Sequence, residues 1–233
     1  MEFPRPLQPA TFIRREKRFL IHAVGPDGTD LVAHTNNTGR MTGCLHPGGR
    51  IWLSPAADPA RKLKWSLEIV DTPEGVPVGV NTALANTLAA EAITAGLVPA
   101  LAGCDDIRRE VKYGTRGSRI DLLLAGAAGP VWVEVKNVSL VAGGHGRFPD
   151  APSERGRKHL RELMDLAAAG ERAVLLFCSQ RPDARTVGPA DDIDPAYGRL
   201  LRDALAAGVT VVGVGCDVSP QAIVPARLLD MQV

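Results

Sequence analysis

The sequence lacks a long apolar run of the kind that crosses a membrane. Its longest apolar stretches, such as residues 173–178 and 209–216, are far shorter than the roughly 20 residues that a membrane helix needs. The first ten residues contain prolines and a glutamate and have no apolar central region, so they do not resemble a signal peptide. These absences predict a cytoplasmic protein that makes no membrane contact.

Cysteines are also few and widely spaced. The four cysteines include no CxxC pair, and this argues against a zinc ribbon and against a secreted disulfide framework. Cys178 and Cys216 each lie in an apolar run, where a buried free thiol behaves as a small hydrophobic side chain. We therefore expect reduced thiols with no catalytic role.

The sequence has little net charge, only +1, which is small for a protein that binds nucleic acid. The basic residues are nevertheless concentrated in two runs near the N-terminus, with aromatic residues between them. This pattern is typical of phosphate neutralisation combined with base stacking. A solvated strand face backed by core aromatics accounts for it equally well. The basic residues are Arg14, Arg15, Lys17, Arg18, Arg61, Lys62 and Lys64, and the aromatics are Phe12, Phe19, Trp52 and Trp65.

Gly and Pro clusters divide the chain into two parts. Residues 11–70 contain short β-type runs separated by Gly, Asn and Pro, which predicts a small all-β barrel. The segment TPEGVPV at residues 72–78 then breaks the pattern, and longer helices alternate with strands beyond it. We place the domain boundary there, giving residues 1–77 and 78–233. The predicted helices lie near 81–97, 153–169 and 195–207, and the predicted strands of the second domain lie near 107–113, 119–124, 131–140, 172–179 and 209–214.

Two central strands of the second domain carry charged residues on one face. In VWVEVKNV, the valines share one face and leave Glu134 and Lys136 on the other. The same alternation in SRIDLLL puts Ile120, Leu122 and Leu124 inward and Asp121 opposite. If a hairpin turns between Ala127 and Ala128, paired residue numbers sum to 255, and Asp121 faces Glu134.

Two adjacent carboxylates repel unless a cation or proton lies between them. Mg²⁺ or Mn²⁺ suits such a gap, since hard divalent ions take oxygen ligands and also bind phosphate. We assign Asp121, Glu134 and Lys136 as candidate catalytic residues for phosphodiester hydrolysis, with Lys136 orienting water or stabilising charge. Glu91, on the packing face of the preceding helix, is a third candidate metal ligand, and no organic cofactor is expected. On spacing alone, an ordinary charged strand pair is the stronger alternative.

A second basic constellation follows at FPDAPSERGRKHLREL. Ser153 can cap a helix whose first turns present cations, and backbone donors with cations suit phosphate. A basic solvated helix face is an equal alternative. In the loop AHTNNTGRMTGCL, Arg40 is a further candidate phosphate contact. The candidate nucleic-acid-binding residues of the helix are Arg155, Lys158 and Arg161.

Three other polar residues have more than one reading. Asp150 is interpreted as a turn residue in preference to an additional metal ligand. His159 is interpreted as a structural histidine, because a lone histidine in a helix usually is. Gln180 follows a strand and is a candidate for lining the same cleft.

Over essentially its whole length, the chain resembles the sugar fermentation stimulation protein (SfsA) family. The segments that carry the resemblance include RFLIHAV, AHTNNTGRMTGCL, GVNTALAN, REVKYGTRGSRIDLLL, VEVKNVSL and FPDAPSERGRKHLREL. The resemblance implies an N-terminal OB-like β-barrel followed by a restriction-endonuclease-like PD-(D/E)xK domain, an α/β (α+β) architecture. It also implies non-specific DNA binding and a link to the regulation of sugar catabolism, with Asp121, Glu134, Lys136 and Glu91 as the motif positions.

Three functions stay open from the sequence. The chain is expected to be a largely non-sequence-specific DNA-binding protein with a metal-dependent phosphodiesterase site. An active Mg²⁺- or Mn²⁺-dependent nuclease is the first alternative, and an OB-type binder of single-stranded DNA or RNA is the second. A homodimer is open as an alternative to a monomer.

Overall fold

The computed structural model of the chain describes residues 1–58, 60–113, 118–126 and 129–233. It contains two sheets, and the first is a closed five-stranded barrel. Antiparallel pairs join β1 to β2, β2 to β3, β1 to β4 and β4 to β5, and a parallel pairing of β3 with β5 closes the barrel. A sixth strand extends the sheet beyond β5. The strands are β1 (Gln8–Glu16), β2 (Leu20–Val24), β3 (Asp30–His34), β4 (Arg50–Pro55), β5 (Trp65–Asp71) and β6 (Pro77–Gly79).

The second sheet has nine strands in the order β10-β11-β13-β15-β14-β12-β9-β8-β7. Its centre is parallel, because β12 pairs in parallel with both β9 and β14. The antiparallel hairpin β8–β9 and strand β7 continue it on one side. The strands are β7 (Cys104–Tyr113), β8 (Ser118–Gly126), β9 (Gly129–Val138), β10 (Leu140–Ala142), β11 (His145–Phe148), β12 (Arg172–Ser179), β13 (Thr186–Pro189), β14 (Thr210–Val218) and β15 (Ile223–Met231).

Three α-helices cover the two faces of the second sheet, and each begins and ends at residues that favour a helix boundary. They are α1 (Ala85–Thr94), α2 (Glu154–Ala168) and α3 (Pro195–Ala206). Ser153 caps α2 by accepting from the Gly156 amide at 3.0 Å, and Asp194 caps α3 by accepting from the Tyr197 amide at 3.0 Å. Helix α1 continues a 3₁₀ turn over Thr82–Leu84 that is capped by Asn81. Gly96 follows α1 with φ +70°, a left-handed conformation that ends helices.

Separate apolar cores lie on the two faces of this sheet. Leu88, Leu122 and Val133 belong to the core beneath α1, and Leu160 and Leu201 belong to the core beneath α2 and α3. Fully burying one such side chain stabilises a fold by about 1.5–3 kcal/mol. The barrel has its own interior cluster, and its Ile69 and Trp52 pack in the core beneath α1, so this core joins the barrel to the second sheet.

The loop after β3 connects the barrel to the second sheet. Asn36 donates to Asn81 Oδ1 at 2.6 Å, and the Asn37 amide group donates to the Val80 carbonyl at 3.2 Å. The chain start also lies on the second sheet, since the Phe3 amide donates to the Gln221 carbonyl at 3.0 Å. The loop after β3 is thus tied to the segment that leads into α1, and the chain start is tied to the turn between β14 and β15.

The predicted mixed architecture with an N-terminal OB barrel is confirmed. The hairpin register is also confirmed, because Leu122 pairs with Val133 and Leu124 with Val131, sums of 255. The predicted turn residues, 127 and 128, lie outside the described residues. One face assignment is wrong: Ile120 packs in the core beneath α2 and not with Leu122 and Leu124 beneath α1, so the alternation of side chains breaks near Asp121.

Sequence reasoning did not predict β6, β10, β11, β13 and β15. Strand β6 carries the first sheet to Gly79, two residues past the boundary that we placed at residue 77. All four cysteines are free and buried. Among the described residues, no helix is both long and apolar enough to span a membrane.

Candidate active site

A cleft of about 430 Å³ lies where the barrel meets the second sheet. One wall comes from the loop after β3, and the floor comes from β8 and β9. The opposite wall comes from the end of β11 and the start of α2. The residues that line the cleft include Asn36, Asn37, Gly39, Asn86, Asp121, Glu134, Lys136, Asn137, Arg147, Asp150 and Arg155.

Asp121 is held in the cleft by two hydrogen bonds. Its Oδ2 accepts from the Val135 amide at 2.7 Å, and its Oδ1 accepts from the Asn86 side chain at 3.0 Å. The first bond ties the carboxylate to β9 and the second ties it to α1. Asp121 therefore points to the same region as Glu134 although the β8–β9 pairing stops at Leu122.

Glu134 has one fully engaged oxygen and one free oxygen. Lys136 Nζ donates to Glu134 Oε1 at 2.5 Å, and His159 Nδ1 contacts the same oxygen. His159 Nδ1 also lies 3.0 Å from Lys136 Nζ, and Arg155 Nε donates to His159 Nε2 at 3.3 Å. The side chain of Glu134 is only 3% exposed. Within the described residues, its Oε2 has no hydrogen-bond partner.

The two carboxyl groups have opposite pKa shifts. Burial and the neighbouring Glu134 raise the pKa of Asp121 above its ordinary value. Burial alone would raise the pKa of Glu134, but hydrogen bonds and positive charge from His159 and Lys136 outweigh it and lower that pKa. Glu134 is thus ionised and compensated by its own cation, whereas Asp121 has only uncharged donors around it.

Two family models match the chain. The model described as the SfsA N-terminal OB domain matches residues 13–80, and the model described as the Sugar fermentation stimulation protein RE domain matches residues 83–222. The chain belongs to the sugar fermentation stimulation protein family. This confirms the family resemblance that the sequence motifs indicated.

Relatives in the family match over nearly the full chain. A sugar fermentation stimulation protein homolog of Thioalkalivibrio sulfidiphilus is 50% identical, with 100% of this chain and 98% of that protein covered. A homolog of Geobacter metallireducens is 50% identical, with 96% of each chain covered. The solved structure of Pyrococcus furiosus SfsA in complex with Ca²⁺ has a TM-score of 0.88 at 32% identity, covering 100% of this chain and 98% of that chain.

Glu91, which we predicted as a third metal ligand, does not reach this cleft. Its carboxylate accepts from the N-terminal ammonium of Met1 at 2.7 Å and lines a separate depression on α1. The side chain is 39% exposed, so its predicted place on the packing face is also wrong. The polar residue that α1 contributes to the cleft is Asn86. Among the described side chains, no three His, Cys, Asp or Glu groups converge on a metal position.

The predicted basic residues of α2 lie in different environments. Arg155 lines the cleft and contacts His159. Lys158 forms an ion pair with Glu162 at 3.5 Å, and Arg161 is exposed on the helix surface. Of these three, Arg155 is the one that lines the cleft.

Arg15 of the barrel has a structural role in place of the predicted phosphate contact. Its guanidinium donates to the Arg18 carbonyl at 2.8 Å, the Gly39 carbonyl at 2.8 Å and the Asn37 carbonyl at 2.5 Å. Four of its five N–H donors bond to main-chain oxygens. Arg15 therefore joins the β1–β2 turn to the loop that walls the cleft, and we call this contact the Arg15 clamp.

The remaining barrel cations are at the surface. Arg14 pairs with Glu16 at 2.7 Å, and Arg61 donates to Ser66 Oγ at 3.1 Å. Among the aromatics, Phe12 is buried in the barrel core and cannot stack on a base, whereas Trp52 is half-buried and packs against the core beneath α1. The other predicted cations are all exposed: Lys17, Arg18, Arg40, Lys62 and Lys64.

Sequence reasoning assigned neither His159 nor Asp150 to the cleft, and it named Gln180 as a candidate for lining it. His159 contacts both Glu134 and Lys136, although a lone helical histidine gave no signal of this. Asp150, interpreted as a turn residue, lines the cleft, and its Oδ2 accepts from the Met41 amide at 3.3 Å. Gln180 is buried behind the cleft and donates to Asn137 Oδ1 at 2.7 Å. Gln180 thereby orients Asn137, which lines the cleft.

Replacing Asp121 by asparagine is expected to raise the thermal midpoint of the metal-free protein at about pH 8. The folded-state pKa of Asp121 is raised, so its ionised form lowers stability at high pH. That cost disappears as the pH falls below the ordinary aspartate value of about 3.9. The gain should therefore shrink as the pH falls from about 8 to about 4, through the folded-state pKa towards the ordinary value, as measured by circular dichroism melting in EDTA.

The control for this measurement is Asp165→Asn, which changes an exposed carboxylate on α2. We expect no shift of its midpoint at either pH. An Asp121→Asn protein that melts at or below the wild-type midpoint at about pH 8 would contradict the predicted electrostatic cost.

Proposed function

We propose that the protein binds DNA in this cleft and hydrolyses its phosphodiester bonds with the help of a divalent cation. The observation that carries the proposal is the unpartnered Oε2 of Glu134, a buried carboxylate oxygen beside a second carboxylate. A buried acceptor without a donor costs free energy, and a bound cation would remove that cost. The Ca²⁺ named for the Pyrococcus furiosus structure supports a site for a hard cation in the family.

The residues present fit such a cation. Asp121 and Glu134 offer carboxylate oxygens, and Mg²⁺ or Mn²⁺ is commonly held by one or two carboxylates together with water and substrate phosphates. The raised pKa of Asp121 supports the fit, since a cation would stabilise its ionised form. When bound, the cation supplies electrostatic stabilisation of the charge that develops on the attacked phosphate.

The side chains around these carboxylates have distinct tasks. Lys136 places its ammonium at 2.5 Å from Glu134 Oε1 and can also donate to a phosphate oxygen or to the attacking water at the cleft side. His159 holds the engaged oxygen of Glu134 and leaves Oε2 directed away from the ring. Arg155 and Arg147 line the cleft and supply positive charge for the flanking phosphates.

Cation-dependent cleavage tests this proposal. Supercoiled plasmid and single-stranded DNA are incubated with the protein in Mg²⁺, in Mn²⁺ and in EDTA, and products are separated on gels. We expect cleavage with either cation and none in EDTA. Intact DNA in all conditions, at protein concentrations that saturate binding, would contradict hydrolysis.

The second candidate function is DNA binding without hydrolysis, as in a regulator of sugar catabolism. The position of Glu91 outside the cleft favours it, because no three His, Cys, Asp or Glu side chains among the described residues converge on a cation position. In that case duplex binding should fall steeply with salt concentration, since phosphate contacts release counterions, and no product should form with any cation.

A further inference from the structure

The tip of the barrel beside the cleft carries an exposed aromatic ring with cations around it. Phe19 lies in the β1–β2 turn and is 42% exposed. Its ring centroid is 6.4 Å from that of His34, at the end of β3. Lys17 and Arg18 precede it in the turn, and both are exposed. We call Phe19 and His34 the aromatic tip.

The closure of the barrel brings the second basic run to the same place. Strand β3 pairs in parallel with β5, which places Ser66 beside His34. Arg61 donates to Ser66 Oγ at 3.1 Å, so its guanidinium lies next to the aromatic tip. Burial and the charge of Arg61 lower the pKa of His34. Glu16 is the acidic neighbour, and it pairs with Arg14 at 2.7 Å and with Lys17 at 4.0 Å.

The aromatic tip is continuous with the wall of the cleft. The Thr35 amide donates to the Phe19 carbonyl at 2.9 Å, and the next residue, Asn36, lines the cleft. The Arg15 clamp holds the same turn against Asn37 and Gly39. A nucleic-acid strand that leaves the cleft over this wall would therefore meet Phe19 next.

We propose that the aromatic tip binds an unpaired base of a strand that runs out of the cleft, so that the preferred substrate is a duplex with a single-stranded tail. The tip is a small ring surface flanked by cations, and this chemistry suits a base with its phosphates. Paired bases present no free face to such a ring, so a blunt duplex gains nothing from it. The inference rests on the proposed binding of DNA in the cleft, and it does not require hydrolysis.

Binding measurements in EDTA test the inference without any cleavage. Fluorescence anisotropy is measured with the full chain, a blunt duplex, and the same duplex with a tail of about eight nucleotides. We expect the tail to tighten binding by roughly 5- to 150-fold, the effect of one stacked base, and Phe19→Ala to remove this difference. Phe19→Tyr keeps a stacking ring and should retain it.

The matched control is Leu228→Ala, which removes an exposed apolar side chain from β15 in the other sheet. It should keep the wild-type preference for the tail. Equal binding of tailed and blunt duplex by the wild type, or an unchanged preference in Phe19→Ala, would overturn the inference. Tail preference without cleavage in Mn²⁺ would leave this inference standing and remove the proposed hydrolysis, so the two failures are distinguishable.

Discussion

Replacing Glu134 by glutamine is expected to lower the rate of cation-dependent DNA cleavage by about 10³-fold or more while the protein stays folded. The amide has nearly the same shape and keeps an oxygen that accepts from Lys136 and His159. It presents no negative charge to a cation, since the position of Oε2 is taken by an uncharged nitrogen. The rate is measured on plasmid DNA in Mn²⁺, and DNA binding is measured separately in EDTA.

Glu162→Gln is the matched control for this variant. Glu162 is also buried, lies on α2, and accepts from Ser118 at 2.5 Å and Tyr113 at 3.2 Å, but it does not line the cleft. We expect its cleavage rate to stay within a few-fold of wild type. Equal cleavage by wild type and Glu134→Gln would show that any observed product comes from another site or from a contaminant.

Replacing Asp194 by alanine is expected to lower the free energy of unfolding by about 3–5 kcal/mol. Asp194 is 3% exposed and caps α3 through the Tyr197 amide. Its other oxygen accepts from the Ser153 amide at 2.8 Å and from Arg157 Nη1 at 2.6 Å. The variant would leave Arg157, a mostly buried cation, without its carboxylate and remove the link between α2 and α3. Urea unfolding followed by circular dichroism measures the loss.

The control for Asp194→Ala is Asp191→Ala in the same segment. Asp191 pairs with Arg202 at 2.6 Å, but both side chains are about half exposed, and such pairs contribute about 0–1 kcal/mol.

Donors from Ser153, Tyr197 and Arg157 outweigh burial and lower the pKa of Asp194. Asp194 therefore stabilises the fold above the ordinary aspartate pKa, and this stabilisation is lost as the pH falls through its folded-state pKa. A loss no larger than that of Asp191→Ala at neutral pH would contradict the prediction.

Local features of the sequence predicted most of the fold. Valines alternate with other residues along β9, so the register of the β8–β9 hairpin and the charged face of β9 could be derived. Strands β13 and β15 contain proline, and β13 also glycine, which weaken a strand signal. Strand β13 also takes its place by pairing with residues distant in sequence, on β11 and β15, and such pairings leave no local pattern. Strand β15 forms a local hairpin with β14, so its proline and its mixed polar and apolar composition are the reason that it was missed.

The candidate site shows the same division between local and distant information. Alternation along β9 assigns Glu134 and Lys136 to one face. Asp121 of β8 reaches the same cleft through its hydrogen bonds to Val135 and Asn86, although the alternation of β8 breaks near it. Glu91 was misplaced because alanines make α1 apolar nearly all around, with six of its ten residues buried, so periodicity could not fix which face meets the sheet. His159 joins the site only because α2 packs on the sheet over β12, next to β9, and no spacing in the sequence encodes that packing.

The position of β12 has a consequence for the chain as it leaves the ribosome. Strand β9 carries Glu134 and Lys136. On the side away from β8 it pairs with β12, from Val131 with Arg172 to Val138 with Ser179. A nascent chain that ends before Arg172 has the hairpin but neither this neighbour nor the closed core beneath α2. Domains form as synthesis proceeds, and non-local pairing comes late. Asp121 and Glu134 are therefore enclosed in the cleft only after most of the second domain has been synthesised.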